Sequence, residues 1–153
     1  VHVVLLVTLA LLPALDAPPA EAPATAAATA QKDAWAVALE PPAHVRPGEA
    51  ARATVRIRSR AGHHVNAEYP TSFVPDPAVV GTLGPKKLML TERVAATPCP
   101  GEPGQSCEVA LALPFTAPPG GGAVLAGTLA FSVCSADRCL IEKVRLETAV
   151  PAS

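Results

Sequence analysis

Cys134 and Cys139 are separated by four residues, Ser135-Ala136-Asp137-Arg138. These suit a tight hairpin loop, and an even loop of this size sets the flanking cysteines directly opposite one another. As a non-hydrogen-bonded antiparallel pair their Cα atoms would lie about 4.5 Å apart, within the window a disulfide accepts. Parity places Cys134 on the face of Ser132, Ala130 and Thr128, and Cys139 on the face of Lys143, Arg145 and Glu147. Both sulfurs are therefore expected on the polar side of the hairpin, open to another protein's thiolate. Glu142 falls on the inward side and marks a bulge or an edge position. A bridge across so short a loop removes only about 2 kcal/mol of unfolded-state entropy. The chemistry such a pair offers is thiol-disulfide exchange; the alternative is a structural hairpin staple of the kind small secreted domains use.

The other two cysteines, Cys99 and Cys107, enclose Pro100-Gly101-Glu102-Pro103-Gly104-Gln105-Ser106, a turn-rich loop ahead of a strand. They are expected to pair with each other as a structural disulfide pinning that loop, although four cysteines allow three connectivities. A zinc site made of all four thiolates is the competing use, disfavoured by the spacing and by export. His63 and His64 are adjacent, and in extended chain their side chains point apart, so the histidines are read as surface residues and no metal site is expected. No Gly-rich phosphate loop, Gly-x-Ser-x-Gly elbow or His-Glu-x-x-His motif occurs, which leaves hydrolase and nucleotide chemistry unsupported and no cofactor implied.

The elements that must hold these cysteines read as strands. Eighteen prolines and ten glycines, spread along the chain, interrupt every candidate helix. Ala53, Val55 and Ile57 alternate with Arg52, Thr54, Arg56 and Arg58, the clearest period-2 pattern in the chain. Similar alternation runs through Trp35, Val37 and Leu39, and through Val109, Leu111, Leu113 and Phe115. It recurs at Leu129, Phe131 and Val133, and again from Cys139 to Val150, with Val144, Leu146 and Val150 inward. Lys87 to Leu90 supplies a shorter candidate, and the stretch around Tyr69 and Phe73 reads as an irregular connection carrying a short edge strand. The pattern predicts an all-β chain, an antiparallel immunoglobulin-like β-sandwich, with a small barrel as the alternative.

Residues 3–15 are almost wholly apolar, shorter than the roughly 20 needed to cross a bilayer, and fit the hydrophobic region of a secretory signal peptide. An uncleaved anchor or a buried strand is the other reading. The expected organisation is a signal peptide in residues 1–17, a disordered Ala/Pro linker in 18–32 and one domain in 33–151. That implies a periplasmic or secreted protein of a bacterial envelope, with no stable membrane span in its mature form. Twelve basic and thirteen acidic residues give no net field to draw nucleic acid.

The segment from Gly127 through Cys134 to Cys139 and Leu140 resembles the end of the N-terminal periplasmic domain of the thiol:disulfide interchange proteins of the DsbD family, as do Val109 to Phe115 and the turn at Pro118 to Gly122. The resemblance implies an immunoglobulin-like fold and an oxidoreductase role, thiol:disulfide interchange. Cys134 and Cys139 would be the pair that takes electrons from a thioredoxin-like partner and passes them to periplasmic substrates. It also implies a cap loop that shields the pair with an aromatic, for which Tyr69 and Phe73 are the candidates. The alternative function is a disulfide-stapled immunoglobulin-like interaction domain without redox activity.

Overall fold

A computed structural model of the chain describes residues 26–153. The signal-peptide reading and the front of the linker reading fall on residues 1–25, outside the described residues. Ten strands are formed: β1 (Ala28–Lys32), β2 (Trp35–Glu40), β3 (Ala50–Ser59), β4 (His64–Val65), β5 (Ser72–Pro75), β6 (Leu88–Met89), β7 (Arg93–Pro98), β8 (Ser106–Thr116), β9 (Ala123–Cys134) and β10 (Cys139–Val150). The only helical structure among the described residues is a 3-10 turn at Pro77–Val79 running into one α turn at Val80–Leu83. Every strand pair is antiparallel, so the chain belongs to the all-β class that its period-2 patterns predict. No helix among the described residues is long and apolar enough to cross a membrane.

The ladder runs β1-β2-β3-β8-β4-β9-β5-β6, with β10 added to β9 and β7 to β8. Its odd member is β4, only two residues long, whose Val65 pairs with Ser106 of β8 on one side and with Val133 of β9 on the other. Apolar residues of both arms share one core. Trp35 of β2 meets Phe131 of β9 edge to face, with ring centroids 5.0 Å apart, and both are almost wholly buried along with Leu39, Ile57, Leu113 and Leu129. An edge-to-face pair of this kind adds about 1 kcal/mol beyond the area it buries.

The domain begins earlier than expected. Ala28–Lys32, inside the stretch read as linker, lies on β2 in the register Ala28↔Leu39 to Lys32↔Trp35. Its only apolar side chains are Ala28 and Ala30, too small to announce a strand; they pack against the core, and ladder hydrogen bonds and Lys32 hold the strand with them. Lys32 Nζ reaches Glu142 Oε2 of β10 at 2.7 Å and lies 5.7 Å from the centre of the Trp35 ring. This explains Glu142, which does sit on the inward side of β10: the Lys32 hydrogen bond holds its carboxyl below the usual carboxylate range, against the opposing effect of burial. β7 also went unread, because all six of its residues are exposed and follow no alternation.

On the outward face of the first arm, Arg56 makes a two-point contact with Glu40, at 2.8 and 3.0 Å, and a third bond of 2.8 Å to Glu108, which also accepts from Arg58 at 2.6 Å. Burial pushes the Glu108 carboxyl up, but the hydrogen bonds from Arg56 and Arg58 outweigh it and leave it below its ordinary value. A carboxyl depressed in the folded state contributes stability above its unfolded pKa and loses it as pH falls through the folded one. Glu108→Gln is therefore expected to cost about 1 kcal/mol at neutral pH, and the gap from wild type should close as urea titrations are taken from about pH 6 to about pH 3. A gap that stays constant with pH would remove Glu108 from the acid response.

Candidate functional site

β9 and β10 follow one another directly and pair along their whole length, from Val150↔Ala123 to Cys139↔Cys134. The inward set Leu125, Leu129, Phe131 and Val133 fixes that register, because a slip of one residue would turn it all to solvent. The turn closes with Ser135 N–H donating to Arg138 O at 2.8 Å. Ser135 Oγ accepts from the N–H groups of Asp137 and Arg138, each at 3.3 Å. With residues 135 and 138 hydrogen-bonded, the next pair is of the non-hydrogen-bonded kind, in which Cα atoms come closest. Cys134 and Cys139 occupy it, bonded through their sulfurs with Cα atoms 3.9 Å apart.

The two cysteines differ in exposure. Cys139 is exposed, whereas Cys134 retains only 6% of its accessibility, so the expectation of two solvent-facing sulfurs holds for one of them. Parity is obeyed, but the outward face of β9 is covered at this end. β4 and β5 both pair with the same edge of β9: Asn66 N–H donates to Ser132 O at 3.0 Å, and Ser72 lies opposite Ala130. Between those points residues 67–71 stand against Phe131 alone, so the chain loops out. Val65 points inward and Asn66 therefore outward, and its side chain crosses the face of β9 until Nδ2 lies 3.9 Å from Cys139 Sγ. Asn66 Oδ1 accepts from Glu68 N–H at 3.0 Å, an Asx turn that fixes which end of the amide meets the sulfur. Ser132, beneath this crossing, is 1% exposed and its Oγ has no protein partner.

The aromatic expected over the pair takes other places. Phe73 belongs to β5, pairs with Leu129 and is fully buried in the core, so it is no cap. Tyr69 lies in the looped-out segment and lines a hollow of about 290 Å³ with Pro70, Leu90 and Leu111. The group touching the disulfide is the Asn66 amide.

The second disulfide joins Cys99 and Cys107, with Cα atoms 4.7 Å apart, closing the loop as its composition suggested. Gly101 and Gly104 take φ values of 77° and 82°, the left-handed region that only glycine enters without strain. Cys99 N–H donates to Gln105 O at 2.9 Å, and Ser59 Oγ donates to Cys107 O at 3.1 Å, so the loop is held at its neck and against β3. Cys107 Sγ lies 3.7 Å from His63 O. From this loop Glu102 projects to His64, with Oε2 3.7 Å from Nδ1.

His64 is the residue that sequence reasoning misplaced. It is the Cα partner of Cys134 across the β4–β9 pairing, so its side chain shares a face with Cys134 and, one strand further, with Cys139. Its side chain is 21% exposed rather than free in solvent. A row His64, Cys134, Cys139 thus crosses three strands, flanked by Asn66 and by Glu102. Nothing local announces a two-residue strand that pairs with β9 sixty-eight residues away; the only available hint was that two histidines and an asparagine directly precede the looped segment.

Chemically, the arrangement offers one cysteine to an incoming nucleophile and keeps the other buried, with His64 as its cross-strand neighbour. A trough of about 750 Å³ over β1, β2 and β3 is floored by Ala36 and Ala38, and its Arg56, Arg58 and Glu40 already satisfy one another or Glu108. No family model, curated protein or solved structure matches this chain.

Proposed function

We propose that the chain is a thiol-disulfide interchange module of a bacterial envelope, working through the Cys134–Cys139 bond with a thioredoxin-like protein or envelope protein thiols as partners. The observation that carries this reading is the unequal exposure of the pair at the tip of a hairpin: Cys139 accessible, Cys134 covered. Exchange requires a sulfur that a thiolate can approach in line with the bond it breaks, and a second sulfur retained in the protein to resolve the mixed disulfide. A bond that served only to close the hairpin would gain nothing from exposing one partner. The resemblance of the β9–β10 hairpin to the DsbD family's cysteine-bearing hairpin supports the same reading, and so does the export-type N-terminus.

A stapled interaction domain without redox activity is the second reading, favoured by Cys99–Cys107, which shows that this chain does use a short-loop disulfide to hold a turn. The two are separated by the reduction potential of Cys134–Cys139, measured by equilibration with thioredoxin or glutathione buffers and peptide mapping. Interchange predicts a value above about −300 mV, with Cys99–Cys107 lower; structural bridges fall below that level. A value for Cys134–Cys139 at or below that of Cys99–Cys107 leaves the staple standing.

A further inference from the structure

We infer that His64, oriented by Glu102 of the disulfide-closed loop, transfers the proton to and from Cys134 during exchange; this rests on the interchange reading above. When a partner thiolate attacks Cys139 Sγ, a new bond forms between the partner's sulfur and Cys139, the Sγ–Sγ bond breaks, and its electron pair goes to Cys134. Cys134 is covered, and a buried thiolate is a costly charge and so a poor leaving group. A proton donor beside it removes that cost. His64 is the residue opposite it in the ladder, where side chains on one face stand roughly 5 Å apart at Cβ, within reach of an imidazole.

The proton and electron balance closes without any further reagent. Imidazolium gives its proton to Cys134 as the bond breaks. The partner's second thiolate then attacks the partner sulfur of the mixed disulfide and releases Cys139 as thiolate, which takes a proton from solvent. Two electrons have passed from a protein dithiol to Cys134 and Cys139. In the outgoing direction neutral His64 takes the Cys134 proton, freeing the thiolate that displaces an acceptor from Cys139.

Glu102 is the positioning residue. Its carboxylate faces Nδ1 at 3.7 Å, which leaves Nε2 for the sulfur. The other charged or titratable groups at this end are His63 and Arg60 before β4, Glu68 in the looped segment, and Asp137 and Arg138 in the β9–β10 turn; Glu102 is the one within ion-pair distance of His64. The Cys99–Cys107 bridge holds the loop that carries Glu102, so the staple supports the exchange site.

The test is the rate of reduction of Cys134–Cys139 by dithiothreitol in the wild-type chain, His64→Gln and Glu102→Gln, from about pH 5 to about pH 9, read by alkylation and peptide mass mapping. Variant-to-wild-type ratios at each pH cancel the ionisation of the reagent. His64→Gln is expected to slow reduction at least about tenfold, by a factor that changes with pH because the group removed is a proton donor. Glu102→Gln should lie between the two. Trp35 fluorescence of each variant, from a ring packed on Phe131, is the control for folding and should not change. His64→Gln reducing at the wild-type rate at every pH would overturn the inference while leaving interchange intact; a wild-type bond that dithiothreitol cannot open would overturn both.

Discussion

Cys134→Ser is expected to accumulate mixed disulfides in envelope extract, and Cys139→Ser to accumulate almost none. The difference follows from which sulfur each variant leaves behind. In Cys134→Ser the remaining thiol is the exposed Cys139, and the hydroxyl in place of the covered thiol cannot displace a partner once it is bound, so the adduct persists. In Cys139→Ser the remaining thiol is Cys134, only 6% exposed on β9 between its strand neighbours on β4 and β10, and a partner must first part those neighbours. Maleimide labelling should run at least about tenfold faster on Cys139 in the first variant than on Cys134 in the second. Both variants should stay folded, since the six-residue loop closed by this bond contributes only about 2 kcal/mol, and Trp35 fluorescence, from a ring packed on Phe131, reports on that directly. Equal trapping by both variants, or more by Cys139→Ser, would dismiss the assignment of Cys139 as the attacked sulfur.

What could be read from the residues and what could not divide along one physical line. Strands with one face in the core announce themselves: Val55 and Ile57 alternate with Arg56 and Arg58, and each residue lies on the side its parity requires. The same local rule sets Cys134 against Cys139, because a hairpin's register is set by its own turn and by the alternation of its own strands. Local rules fail where pairing is long-range or where the ladder alone supplies the stability. β1 is built of small and polar residues and is fixed by hydrogen bonds to β2 and by one ion pair to β10. β4 is two residues long, and its partners on β8 and β9 lie far along the chain, so no periodicity could place His64 beside Cys134. The burial of Cys134 has the same cause, since the strand lying beside it, β4, comes from far along the chain. Parity predicts a face and says nothing of what crosses it.

Gly127→Ala is expected to be among the most damaging single changes in the chain, although it adds only a methyl group. A Cβ at this position would lie 2.5 Å from Cε1 and 2.9 Å from Cζ of Phe73, and would also collide with the carbonyl oxygen of Val74. Neither obstacle gives way cheaply. Phe73 is fully buried, and the Val74 carbonyl belongs to β5 where that strand lies against β9, with Val74↔Thr128 and Pro75↔Gly127 in register. Relief therefore requires β5 to move off β9 or the ring to leave the core, an overpacking cost near the upper end of its usual range, about 3 kcal/mol. For a domain of this size that corresponds to a fall in Tm of roughly 10 °C, measured by circular dichroism. Gly81→Ala is the control: it has open space around it and an ordinary backbone conformation, and should stay within about 0.5 kcal/mol of wild type. The consequence reaches the cysteines. The looped segment, whose first residue Asn66 sets its amide 3.9 Å from Cys139 Sγ, is anchored by β4 on one side and by β5 on the other, so loosening β5 frees one of its two ends. Gly127→Ala should therefore also speed the reduction of Cys134–Cys139 by dithiothreitol at temperatures well below its own unfolding transition, while Cys99–Cys107, which does not depend on β5, keeps its wild-type rate. If both bonds open equally faster, the effect is global unfolding, and access to the Cys134–Cys139 bond is not set by the β5 anchor.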